Sequence, residues 1–396
     1  MKLLYFFILS SIILLSSLSA GKSQINLSKG ININPSDSSF SLKFGLLLQP
    51  RFELNDSLNN CNCDNSKYTA NAMLRRMRLR FEGFIGHPSL SYFFQLGVTN
   101  NDMESTKSPD GEISGIIYDA YMDWEFIDRT KLRVGQAKLP GAMSRLMSFT
   151  GLNFLERSNA EAMFNNYRDI GIQLHNEWNI NDFTLREQIA VTQGEGVNQK
   201  TLPDDGFAYS GRLEILPFGL FENSGERYEM DMAFEKSPKL MIGAAVFCDN
   251  KAQRERAILG KALYQPVDIT SYYADFLFKY SGFAIQGEYY KRQTPVPETF
   301  NKGNSVFVYV GEGFSGQASY MITDDMALAL RYSHVRPDDE IQTFTGNRTD
   351  YSLGFIKFIF GNKVKLQSDI SYIEQEEYLK ELSKNILFRI NMILSL

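Results

Sequence analysis

Between Arg76 and Gly83 the side chains alternate without a break. Arg76, Arg78, Arg80 and Glu82 fall on one side of an extended chain, and Met77, Leu79, Phe81 and Gly83 on the other. A period of two is the mark of a β-strand whose faces differ in chemistry. Three arginines at alternate positions cannot enter a dry core unpaired, because stripping water from a charge is very costly. One face therefore needs an apolar surround, and the other needs water or anions. A solvent-exposed sheet edge and the lumen of a membrane barrel both meet that demand.

The rest of the chain favours the barrel. Tyr118, Ala120, Met122, Trp124 and Phe126 oppose Asp119, Tyr121, Asp123 and Glu125, and Val364, Leu366, Ile370 and Tyr372 oppose Lys365, Gln367, Asp369 and Ser371. About sixteen such segments follow one another from Leu42 to Leu396, an even number in the range of outer-membrane barrels. Tyr118, Trp124, Phe126 and Tyr372 read as lipid-facing or interfacial aromatics. Tight turns such as Ser281-Gly282 alternate with long polar connections such as Asn100–Gly115, Asp249–Thr270 and Gln293–Asn304. Pro217–Pro238 breaks the rhythm, being long where a short turn is due; it holds either an excursion or an unrecognised hairpin.

Beyond the first residues no apolar run is long enough for a membrane helix, so a spanning fold must close its hydrogen bonds as a barrel. Lys2, the apolar stretch Leu3–Leu18 and the small residues Ser19-Ala20-Gly21 read as a cleaved signal peptide over residues 1–20. A polar leader over 21–40 and a barrel over 41–396 are expected to follow, with too little chain before the first strand for a plug domain. The net charge of −5 argues against nucleic acid as a partner. Three cysteines make no disulfide framework, and with only three histidines neither a metal site nor another cofactor is expected. The histidines sit in no recognisable nucleophile setting, so an enzyme is not expected. A secreted all-β binding or adhesion protein is the rival from another class.

The connection 139–167 is unusual in carrying Met143, Leu146, Met147, Phe149, Leu152, Phe154, Leu155, Met163 and Phe164. A loop this apolar is expected to fold inward as a constriction, with Arg145 and Arg157 on it and Lys138 and Arg168 at its ends. Here the chain resembles the phosphate-selective porin O and P family, in Gly135-Gln136-Ala137-Lys138-Leu139-Pro140, Phe154-Leu155-Glu156-Arg157 and Arg168-Asp169-Ile170-Gly171. Weaker matches are Arg212-Leu213-Glu214, Pro217-Phe218-Gly219 and Gly287-Glu288-Tyr289. The resemblance implies a sixteen-stranded, antiparallel β-barrel in the outer membrane of a Gram-negative bacterium, surrounded by outer-membrane lipid, assembled as a homotrimer and offering small anions an arginine-lined path. The family typically ends on an aromatic residue read by the barrel-assembly machinery; this chain ends Ile393-Leu394-Ser395-Leu396, an apolar end in the same alternation. No dense lysine cluster marks a phosphate trap.

The expected function is passive, anion-selective diffusion of small solutes, of phosphate type, with a non-selective general porin as the alternative. The expected path residues are Arg76, Arg78, Arg80, Lys138, Arg145, Arg157 and Arg168. Each could instead be neutralised by a wall carboxylate such as Glu82, Asp119 or Asp123, and Arg157 is expected to pair with its neighbour Glu156.

Overall fold

The structure, a computed structural model, describes residues 31–35, 39–58, 68–104, 116–198, 206–376 and 381–396. The expected signal peptide, Cys61 and Cys63 lie outside the described residues. A short β1 (Ile31–Ile33) precedes β2 (Phe40–Ser57), β3 (Tyr68–Ile85), β4 (His87–Gly97), the short helix α1 (Asn100–Glu104), β5 (Ile117–Ile127), β6 (Thr130–Lys138), β7 (Arg168–Ile180), β8 (Phe183–Thr192) and β9 (Ala208–Leu216). The second half holds β10 (Lys239–Arg256), β11 (Leu259–Tyr280), β12 (Phe283–Gln293), a small hairpin β13 (Glu298–Asn301) and β14 (Asn304–Phe307), then β15 (Gly311–Thr323), β16 (Met326–Pro337), β17 (Arg348–Phe360), β18 (Val364–Glu376) and β19 (Leu382–Ser395).

Leaving out β1, β13 and β14, the sixteen long strands pair antiparallel with their sequence neighbours, and β19 closes the ring on β2 from Asn385↔Ser57 to Ser395↔Leu47. Closure satisfies every strand edge, which a bilayer demands. The alternation then sorts the side chains. On β3, Arg76 and Arg78 are buried in the interior, while across the wall Trp124, Ile172, Leu330 and Tyr320 stand exposed on the outside. Two-residue turns such as Ser281 and Gly282, both at positive φ, match the twist of their flanking strands.

Four details differ from the sequence reading. Ile31–Ile33, within the expected leader, pairs with Leu42–Phe44. The expected long connection Asp249–Thr270 is mostly a hairpin of β10 and β11, with register shifts beyond Asp249. Its charges fall on both faces, so the alternation that betrays a strand inside lipid is lost there. The stretch after Gln293 contains β13 paired to β14. Finally, Tyr118 does not face lipid: it is 2% exposed and its hydroxyl donates to the Asp102 carbonyl at 2.8 Å. A register shift between Gln95 and Leu96, where β4 meets β5, turns that side chain inward.

Candidate functional site

Two inserted segments occupy the interior. The first is 139–167, which carries the short helices α2 (Met143–Leu146) and α3 (Asn159–Phe164). Its apolar side chains Leu139, Met143, Met147, Leu152, Phe154, Leu155 and Phe164 are all buried. Its backbone is tied to inward-facing groups of distant strands. The Arg51 guanidinium donates to Leu155 O at 3.1 Å and that of Arg331 to Glu156 O at 2.8 Å. Lys365 Nζ donates to Leu152 O at 2.9 Å. Ser144 N donates to Glu288 Oε1 at 2.8 Å.

Glu156 is the electrostatic anchor of this loop. Its carboxylate meets Arg51 at 2.8 Å, Arg75 at 2.8 Å and Arg76 at 2.5 Å. Burial alone would push the carboxyl up, but Arg76, Arg75 and Arg51 outweigh it and hold it well below the usual carboxylate range. Phe149 lies beneath the same cations, its ring centroid 3.6 Å from the Arg76 guanidinium carbon and 4.0 Å from that of Arg157. Arg157 therefore does not pair with Glu156 as the sequence suggested. Glu156 is already engaged by three guanidinium groups of the wall, and Arg157 turns back to donate to Ser144 O and Met147 O, each at 2.8 Å.

The second insert is Pro217–Pro238, at the end of the barrel that carries the short turns. It is an excursion rather than a missed transmembrane hairpin: a kinked 3₁₀ segment at Glu222–Arg227, with Phe221, Met230, Glu229 and Asp231 buried. The two inserts touch. Glu229 N donates to Gly151 O at 2.9 Å, and Asn153 N donates to Glu229 Oε2 at 2.7 Å. Phe154 and Met230 share an apolar cluster with Met321, Ala327, Ala329, Ile356 and Phe358 of the wall.

Together the inserts fill the side of the bore lined by β10–β18 and leave the side lined by β3–β9 open. The open side is one cavity of ≈ 760 Å³, bordered by eleven Lys and Arg against six Asp and Glu. Of the seven expected path residues, four are in ion pairs, Arg76 through a carboxylate it shares with Arg51 and Arg75. Arg76 meets Glu156, Arg78 meets Asp102 at 2.8 Å, Arg145 meets Glu161 at 2.5 Å and Arg168 meets Asp119 at 2.8 Å. Arg80, Lys138 and Arg157 border the cavity with no carboxylate within ion-pair distance among the described residues. Lys138 Nζ donates only to the carbonyls of Leu146 and Met147, both at 3.0 Å, and Arg80 to Ser395 Oγ at 3.2 Å.

Sequence reading missed Arg133, Arg186 and Arg227, which also border the cavity. Arg133 and Arg186 sit at inward positions of β6 and β8 that strand parity could have picked out. Arg227 could have been sought from the apolar Phe221, Met230, Met232 and Phe234 around it, the same signal that marked 139–167 as inward.

A family model described as phosphate-selective porin O and P matches residues 51–385. A chain of Aquifex aeolicus, described as an uncharacterised protein, is 23% identical over 371 residues, covering 85% of this chain and 83% of its own length. Among solved structures, the anion-selective porin from Comamonas acidovorans aligns at TM-score 0.52 and 12% identity, over 90% of this chain and 99% of that one. OprB of Pseudomonas putida aligns at 0.57 and 8% identity, over 90% and 94%. OmpF of Salmonella typhi aligns at 0.53 and 11%, over 92% and 100%. At such identities the structures speak for the barrel alone, and the family match carries the assignment. Because that match spans most of the barrel, the chain belongs to the phosphate-selective porin O and P family, and is a porin of the Gram-negative outer membrane.

Proposed function

We propose that this porin is a passive channel, not an enzyme, through which small anions of the phosphate class cross the open side of the bore. The observation that carries the reading is the set of Arg80, Lys138 and Arg157: three cations without carboxylate partners among the described residues on one cavity. A fixed positive charge beside a narrow path attracts anions and repels cations, more strongly where low-dielectric walls confine the field. Guanidinium and ammonium donors can replace part of an anion's hydration shell as it passes. The inward loop 139–167 sets the width of the path in this reading. A homotrimer, and recognition of the C-terminal strand by the barrel-assembly machinery, are proposed from the family. The ion pairing of Arg76, Arg78, Arg145 and Arg168 favours the alternative of weak selectivity, in which these cations serve structure.

Reversal potentials in a planar bilayer under a salt gradient decide between the two. The wild type should prefer chloride and phosphate over potassium. Replacing Arg80, Lys138 and Arg157 together by glutamine should cut that preference about tenfold or more, each charge near a confined path counting for roughly a kcal/mol. Unchanged selectivity in a folded triple variant would end the anion-path reading.

A further inference from the structure

We infer that the periplasmic-end insert Pro217–Pro238 is a second jaw of the filter, and that Arg227 at its tip is a selectivity-determining residue. The inference rests on the anion-path reading and adds to it a contribution from the opposite side of the membrane. Arg227 is exposed, borders the same cavity as Arg80, Lys138 and Arg157, and has no carboxylate within ion-pair distance among the described residues.

Its carboxylate neighbours are engaged by other groups. Glu226 receives the Arg186 guanidinium at 2.9 Å, which Glu177 shares at 2.7 Å. Glu229 is engaged by Asn153 N at 2.7 Å and by Gln286 Nε2 at 3.2 Å. Arg227 is the one Lys or Arg between Leu216 and Lys236, and its guanidinium is the cationic group the insert adds to the cavity.

The backbone bearing that charge is held from several directions. Lys279 Nζ donates to Gly225 O at 2.8 Å and to Met230 O at 2.6 Å, bracketing Arg227 on both sides. The Arg227 carbonyl abuts Gly151 of the other insert so closely that a Cβ on Gly151 would lie 2.7 Å from it. A long side chain on a fixed backbone gives a charge whose position is set while its head stays mobile enough to follow a passing ion. The filter is then assembled from both ends of the barrel. Arg157 comes with the insert from the end of the long loops, Arg80 and Lys138 with the wall, and Arg227 with the insert from the end of the short turns.

The experiment uses the full-length porin in planar bilayers, comparing Arg227→Gln, Arg227→Glu and, as a control, Lys236→Gln, an exposed residue of the same insert. Relative to wild type, Arg227→Glu should lower the anion-over-cation permeability ratio about fivefold, Arg227→Gln less, and Lys236→Gln hardly at all. A shift by Arg227→Glu no larger than that of Lys236→Gln would overturn the jaw while leaving the anion path standing. A wild type without anion preference would overturn the anion path, yet a cationward shift by Arg227→Glu would still support the jaw. Should the glutamate variant fail to assemble, Arg227→Cys in a chain with Cys61, Cys63 and Cys248 changed to serine keeps the question open to measurement. A cationic thiol reagent should restore the anion preference and an anionic one reverse it, each acting faster from the side of the short turns. No response to either reagent, or equal rates from both sides, would also overturn the inference.

Discussion

The wall of β3–β9 turns Arg80, Tyr121, Arg133, His175 and Arg186 towards open space, whereas the wall of β10–β18 turns Gly313, Ala327, Ala329, Ser333 and Gly354 towards packed side chains. Both walls obey the same alternation, and both hide their inner faces from lipid. The difference lies in what stands at a few inward positions. Long side chains on one side border the open cavity. On the other, Gly313, Ala327, Ala329 and Gly354 give Phe154, Phe164 and Met230 room to reach the sheet, while the larger Arg331 and Lys365 donate to the backbone of 139–167. On Gly313 an added Cβ would lie 2.9 Å from the Phe164 ring and 3.0 Å from Ala160. At these positions side-chain volume sets how closely the inserts approach the wall, with polarity deciding only which face is inside.

The hardest test of that division is to remove the filler. Deleting Arg145–Asn159 takes away the second half of α2, the Phe149 turn and Glu156, merging the open and packed sides into one bore. Single-channel conductance should rise about twofold or more and ion preference should fall, since less of the cross-section is blocked. A deletion variant that still shows heat-modifiable migration on gels but conducts like wild type would place the loop outside the conducting path.

A smaller and more local test addresses the packed wall. Gly313→Leu puts a branched side chain where Phe164 and Ala160 already sit, an overpacking that costs typically ~1–3 kcal/mol. The heat needed to convert the folded to the unfolded gel band should drop, and α3 should be displaced towards the open cavity, lowering conductance. The same replacement at Gly86, whose Cβ would meet nothing within 4 Å, tests instead only the cost of a positive φ. If both variants melt alike with unaltered conductance, side-chain volume is not what positions the loop.

How much of this could be read from the chain follows the same line. The sixteen strands were legible because lipid enforces alternation wherever the wall meets it; β10 and β11 were cut short in the reading because, beyond Asp249, charge sits on both faces. The inward course of 139–167 is legible from its apolar content, and the same clue at Pro217–Pro238 is masked by that segment's place among the short turns. Pairing was the least legible. Arg157 stands next to Glu156 in sequence, yet the carboxylate is engaged by Arg51, Arg75 and Arg76, which only barrel closure brings together. Tyr118 escaped because a single bulge reverses strand parity.

The finest probe of the boundary between the two sides is pH, acting on Glu156. Its carboxyl lies well below the ordinary value of about 4.3, because Arg76, Arg75 and Arg51 together outweigh the cost of burial. A group whose pKa is depressed by folding contributes stability that is fully present above its unfolded value and is lost as pH falls through its folded one. Anchoring of the loop should therefore be constant from pH 7 to about 5 and weaken only below about pH 4. In single-channel records this should appear as added noise and a modest rise in conductance at low pH, as 139–167 loosens from Arg51 and Arg76. Other carboxylates titrate over the same interval, so the reading is the difference between wild type and Glu156→Gln. The variant keeps an acceptor for the guanidinium groups but no charge to lose, and its loop-dependent noise should already be raised at pH 7 and stay flat on acidification. Parallel pH curves for the two proteins would show that the Glu156 cluster does not anchor the insert, and would leave apolar packing and the hydrogen bonds from Arg331, Lys365 and Glu288 to hold it.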